Sequence, residues 1–137
     1  MNKIFILDAC ALVALLKNET GADVVAAAYK QAENGEARII MNRVNLLEVY
    51  YGFFHDDGKV YADNIIDNVL KSIVVINEFD KEIFPIAGRL KASYQISLAD
   101  SIVLAQTLLL NGELLTSDHH KFDTIDERET ISFYWIR

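Results

Sequence analysis

The segment KIFILDACALVALL, residues 3–16, changes character at a single residue. Lys3 to Leu7 is rich in Ile and Phe and reads as a short strand buried on both faces. Ala9 to Lys17, closed by Asn18, is rich in Ala and Leu and reads as a helix. Asp8 stands where strand gives way to helix. A carboxylate there can serve as the helix N-cap. It is also a charge between two apolar runs, which is costly unless paired, hydrogen-bonded or bound to a cation.

The same alternation continues along the chain. Gly21 to Glu33 predicts a second helix, with Val24, Val25, Ala28 and Ala32 on one side and Asn34-Gly35 as its stop. Arg38 to Met41 predicts a second strand. Asn42 caps a third helix running to about Phe54, which His55-Asp56-Asp57-Gly58 breaks. A fourth helix covers Lys59 to Lys71, and Ile73 to Ile76 is a third strand. Asp80 opens a fifth helix that ends near Tyr94 and has an irregular start at Pro85. Ser97 caps a sixth, very apolar helix that closes at Asn111-Gly112. Glu113 to Thr116 is a fourth strand, and Ile131 to Tyr134 a fifth, at the edge. Short apolar strands alternating with helices predict an α/β protein with a mainly parallel sheet of four or five strands. In such sheets ligands bind beyond the carboxyl ends of the strands.

Composition bounds the function. The 137 residues suit one domain over residues 1–137, and at 52% hydrophobic the chain can fill a core without staples. Cys10 is the single cysteine, so no intrachain disulfide forms and a cytoplasmic setting is expected. Lys3 with the apolar run behind it imitates a signal peptide, but Asp8 interrupts the hydrophobic region. The run from Ile102 to Leu110 is too short to cross a membrane. A net charge of −7 argues against a broad surface that coats nucleic acid. It does not argue against a small cleft centred on a cation, where a bound ion inverts the local field.

Three more carboxylates repeat the situation of Asp8: Glu48 in NLLEVYYG (45–52), Asp100 in SLADSIVLAQ (97–106) and Asp118 in LLTSD (114–118). Each has a structural reading. Glu48 can face solvent, or close a capping box that starts at Asn45; no Lys or Arg stands three or four residues away to pair with it. Asp100 can complete a capping box with Ser97. Asp118 can be a loop or cap residue. Taken together, acids set in apolar frames with few basic neighbours point to a shared hard cation, Mg²⁺ or Mn²⁺, and to metal-assisted phosphodiester chemistry. Zinc is disfavoured, because His119-His120, His55 and Cys10 do not assemble a ligand set. Neither a Gly-rich phosphate loop nor a Ser-His nucleophile motif occurs.

With LDACALVALL (7–16), these segments resemble the PIN-domain family, and within it the VapC-type toxin branch, in the right order and across essentially the whole chain. The resemblance implies a small three-layer α/β/α domain and Mg²⁺- or Mn²⁺-dependent cleavage of RNA. It implies Asp8 and Asp100 as the main metal ligands, with Glu48 and Asp118 completing the catalytic cluster. The family often carries a hydroxyl or amide side chain two residues after the first Asp. Here that place holds Cys10, a weaker hydrogen-bond partner; Thr116 or Ser117 can supply a hydroxyl near Asp118. Toxins of this branch form homodimers and are held by a small protein antitoxin. Arg43, near the start of the Glu48 helix, is the candidate substrate-phosphate contact, ahead of Lys17 and Lys121. His119 is a further candidate.

Two other readings compete. One is a PIN-like fold kept as a binding module with a degenerate site. The other is an aspartate-based phosphotransfer domain acting through Asp8. Cys10 stands where such a phosphatase would carry its second Asp, and the fourth strand lacks the Lys a receiver domain needs.

Overall fold

The computed structural model describes residues 3–137. Five strands form one sheet: β1 (Lys3–Leu7), β2 (Ala37–Asn42), β3 (Val75–Asn77), β4 (Glu113–Thr116) and β5 (Ser132–Trp135). They lie in the order β3-β2-β1-β4-β5, and every pairing is parallel. The helices are α1 (Ala9–Leu16), α2 (Ala22–Glu33), α3 (Arg43–Asp57), α4 (Lys59–Leu70), α5 (Ile83–Ser93), α6 (Leu98–Leu110) and α7 (His119–Arg128).

Period-two alternation of the strands sorts their side chains into two cores. Phe5 and Leu7, with Ile39, Met41 and Leu115, pack beneath α1, α2, α3 and α4. Ile6, Ile40 and Leu114 point the other way, into a second core built with α5, α6 and α7. The result is the expected α/β/α sandwich. The turn from α6 into β4 shows how tightly the layers close. Asn111 takes a left-handed conformation at φ 51°, and a Cβ on Gly112 would stand 3.0 Å from Ile6 Cγ1 and 3.1 Å from the Ile4 carbonyl oxygen.

Several boundaries differ from the sequence expectation. Helix α3 does not break at His55 but runs through Asp57 and stops at Gly58, whose φ of 89° ends it. Strand β3 begins at Val75 rather than Ile73. Asp80 does not open α5: its carboxylate accepts the Glu82 and Ile83 N–H groups in a preceding turn, and α5 starts at Ile83. Helix α7 was not expected at all. Phe122 and Ile125 are its buried residues, which leaves little periodic signal in an otherwise polar segment. Among the described residues no helix is long and apolar enough to cross a membrane.

Candidate active site

Strand order determines where a site can form. The connection out of β1 leads to β2 on one side, while β4 pairs with β1 on the other. A crevice therefore opens at their carboxyl ends, the topological switch point of the sheet. Leu7 lies opposite Leu115, so the residues that follow β1 and β4 leave the sheet side by side. Asp8 and Asp118 are those residues. Helix α3, entered from β2, brings Glu48 to the same edge, and the first turn of α6 brings Asp100. All four line one pocket of about 110 Å³, with Ala9, Cys10, Asn45, Val103 and Lys121.

Asp8 does two jobs. As N-cap of α1, its Oδ1 accepts the Ala11 N–H at 3.0 Å. Its Oδ2 accepts the Thr116 hydroxyl at 2.8 Å, a bond spanning 108 residues of sequence. Thr116 is fully buried, and its oxygen also accepts the Asp118 N–H at 3.3 Å. One hydroxyl thus ties the ends of β1 and β4 together. The Cys10 Sγ lies 3.5 Å from both the Thr116 and Ser117 hydroxyls. Burial pushes the Asp8 carboxyl above its ordinary range, against hydrogen bonds from Cys10, Ala11 and Thr116 that favour the charged form. Burial and the Asp8 charge push the Cys10 thiol up to about 12, so it stays protonated.

Asn42 caps α3 by accepting the Val44 N–H at 3.0 Å, so the helix does not start at Asn45 and the alternative capping box for Glu48 is absent. Asn45 instead is buried. Its amide donates to the Ala99 carbonyl at 3.1 Å and, more distantly, to Glu48 Oε1 at 3.5 Å. Glu48 is half-buried rather than solvated; burial raises its pKa, and the charges of Asp100 and Asp8 raise it further. The Ser97–Asp100 capping box does form: Ser97 Oγ accepts the Asp100 N–H at 3.0 Å, and Asp100 Oδ2 accepts the Ser97 N–H at 3.4 Å. Asp118 caps α7 by accepting the Lys121 N–H at 3.4 Å. For Asp8, Asp100 and Asp118 the structural reading is therefore true, and convergence on one pocket is true as well.

The basic candidates are distributed differently. Arg43 does not line the pocket: its Nε donates to Glu78 Oε1 and Oε2 at 2.9 and 2.8 Å. The Lys17 ammonium sits over the Phe53 ring, 5.4 Å from its centroid. His119 stacks on Trp135 with ring centroids 3.8 Å apart and bonds to Asp123 and the Arg137 carbonyl. Lys121 alone reaches in, 3.5 Å from Asp100 and 3.6 Å from Asp118.

The donor set fits a hard divalent cation. It consists of carboxylate oxygens together with Asn45 Oδ1, which is buried and lacks a hydrogen-bond partner. A water takes about 30 Å³ of liquid, so the pocket has room for an ion and a few waters. Among the described residues no three His, Cys, Asp or Glu side chains stand close enough, as they are, to form a finished metal cage. Asn45 and the Thr116–Asp8 bond are the two contributors that sequence reasoning did not assign; only the polar residue three before Glu48 hinted at the first.

The PIN domain family profile matches residues 5–128. No curated protein matches the chain in sequence. Solved structures with the same fold include VapBC2 from Rickettsia felis bound to a DNA fragment from its promoter. That chain is 19% identical, with 96% of this chain and 98% of that one covered, at a TM-score of 0.74. A toxin–antitoxin complex from Klebsiella pneumoniae is 21% identical over 88% and 91%, at 0.62. The Mycobacterium tuberculosis toxin VapC20, which cleaves the sarcin–ricin loop, is 13% identical over 80% and 86%, at 0.58.

Proposed function

We propose, since the chain belongs to the PIN-domain family, that it is a Mg²⁺- or Mn²⁺-dependent endoribonuclease of the cytoplasm and the toxin of a toxin–antitoxin pair. The observation that carries this reading is the meeting of Asp8, Glu48, Asp100 and Asp118, drawn from four parts of the chain, in one pocket at the β1–β4 switch point. The same reading takes residues 1–137 as one PIN domain.

Asp8 and Asp100 would hold the ion, with Glu48 and Asp118 completing its surroundings. When bound, a divalent cation supplies Lewis acidity toward a phosphodiester and toward water. The chain's own residues do the rest. Thr116 and the α1 N-terminus orient the Asp8 carboxylate, and the Ser97 box orients Asp100. Asn45, its amide 3.5 Å from Glu48 Oε1, holds that carboxylate at the pocket. Arg43 would touch substrate only by leaving Glu78. The RNA assignment draws support from VapC20, and the antitoxin from the VapBC2 and Klebsiella complexes. Homodimer formation belongs to the same reading.

A second reading, the fold kept as a binding module, draws on the ion pairs of Lys121 with Asp100 and Asp118. Cleavage of a mixed RNA pool separates the two. Wild type should cut with Mg²⁺ or Mn²⁺ and not with chelator, while folded Asp8→Ala and Asp100→Asn should lose at least about a hundredfold. Equal activity in all three proteins, or no ion-dependent cleavage by wild type, refutes the nuclease.

A further inference from the structure

Among the described residues Lys121 is the only basic side chain lining the acidic pocket. It is the third residue of α7, and Asp118 grips it twice. The Asp118 carboxylate caps its backbone N–H at 3.4 Å and meets its ammonium at 3.6 Å. The same ammonium stands 3.5 Å from Asp100 Oδ2 on α6. Both distances are ion-pair contacts rather than tight hydrogen bonds. The lysine side chain is 48% exposed, whereas those of Asp100 and Asp118 are 14% and 30% exposed. Lys121 also borders a separate cavity of about 320 Å³ with Ser93, Gln95 and Thr124, which gives a flexible stem somewhere to withdraw.

We propose that Lys121 is an internal counter-cation, whose ammonium competes with a divalent ion for Asp100 and Asp118 and so sets the ion concentration at which the pocket fills. The inference rests on the metal-site reading above. A divalent ion on those oxygens and an ammonium at ion-pair distance from them repel one another. One must leave, and the singly charged, half-exposed group is the one free to move. The lysine thereby also lessens repulsion among the acids while no ion is held. Half-exposed ion pairs are weak, so the effect is modest: removing the ammonium should tighten ion binding roughly three- to tenfold.

The test is direct titration of Mn²⁺, read from the electron paramagnetic resonance signal of the free ion at fixed ionic strength. Wild type, Lys121→Met, Lys121→Arg and Asp100→Asn are compared, each checked for folding by its melting curve; Lys121→Gln replaces Lys121→Met if the latter does not fold. Lys121→Met should bind Mn²⁺ three- to tenfold more tightly than wild type. Lys121→Arg should stay near wild type, and Asp100→Asn should bind far more weakly. Equal or weaker binding by Lys121→Met, with wild type binding and Asp100→Asn not, overturns the counter-cation and leaves the metal site standing. Absence of binding by wild type, or binding indifferent to Asp100→Asn, overturns both.

Discussion

Thr116→Val replaces a hydroxyl by a methyl of nearly the same shape at a fully buried position. What disappears is the 2.8 Å bond to Asp8 and the acceptor for the Asp118 N–H at 3.3 Å. A hydrogen bond to a charged group contributes about 1.5–3 kcal/mol, and the added methyl offsets a fraction of that loss. The expected destabilisation at neutral pH is about 2 kcal/mol, or about 6 °C in melting temperature for a chain of this size. The pH dependence gives a sharper signature. Burial raises the folded Asp8 carboxyl above its unfolded value, so stability declines as pH climbs from the unfolded value through the folded one. Thr116 works against that rise. Without it the folded value moves higher still, and the decline extends to higher pH. The two proteins should therefore differ least in acid, where Asp8 is protonated in both, and most at neutral pH. Metal-dependent cleavage should fall about 10- to 100-fold, as expected when a group that orients a metal ligand is lost. Thr116→Ser should keep the wild-type pH profile. Melting curves from pH 4 to 8 that coincide within about 1 °C for wild type and Thr116→Val, with cleavage intact, would refute the reasoning.

Two further outcomes follow from the packing. Phe122→Ala empties a fully buried site against Phe133 and should cost about 3–5 kcal/mol in urea denaturation; because Asp118 is held as the cap of α7, Mn²⁺ binding should weaken with it. Glu129 accepts bonds from Arg89 and Tyr94, and Arg89 above all holds its carboxyl below the usual range. That stabilisation is present above the unfolded value near 4.5 and is lost as pH falls through the folded one. Glu129→Gln should therefore melt lower at neutral pH, by about 1 kcal/mol because Arg89 is half exposed, with a gap that closes in acid. A gap unchanged down to pH 3 would count against it.

Local pattern was enough for β1, β4 and α6, whose apolar runs are bounded by clear caps at Asp8, Ser97 and Asn111. It failed at α7, where two buried residues carry a helix that the core, not its own sequence, holds in place. It also ended α3 too soon, since polar residues at His55–Asp57 extend a helix that has already been nucleated.

The candidate site divides in the same way. Asp8, Glu48, Asp100 and Asp118 were legible singly, because a charge inside an apolar frame is anomalous wherever it occurs. Three of them were equally legible as helix caps, and sequence had no means of choosing between cap and cluster. The β3-β2-β1-β4-β5 order showed that the roles coincide, by setting the ends of β1 and β4 next to each other. The same order placed Thr116 on Asp8, turned Arg43 toward Glu78 and brought Lys121 between Asp100 and Asp118. What the amino-acid sequence determined unaided was the series of elements and the acids at their ends, because periodicity and capping act over a few residues. Which acid meets which hydroxyl or ammonium was decided by strand pairing across as many as 108 residues, and no short-range pattern encodes a contact at that separation.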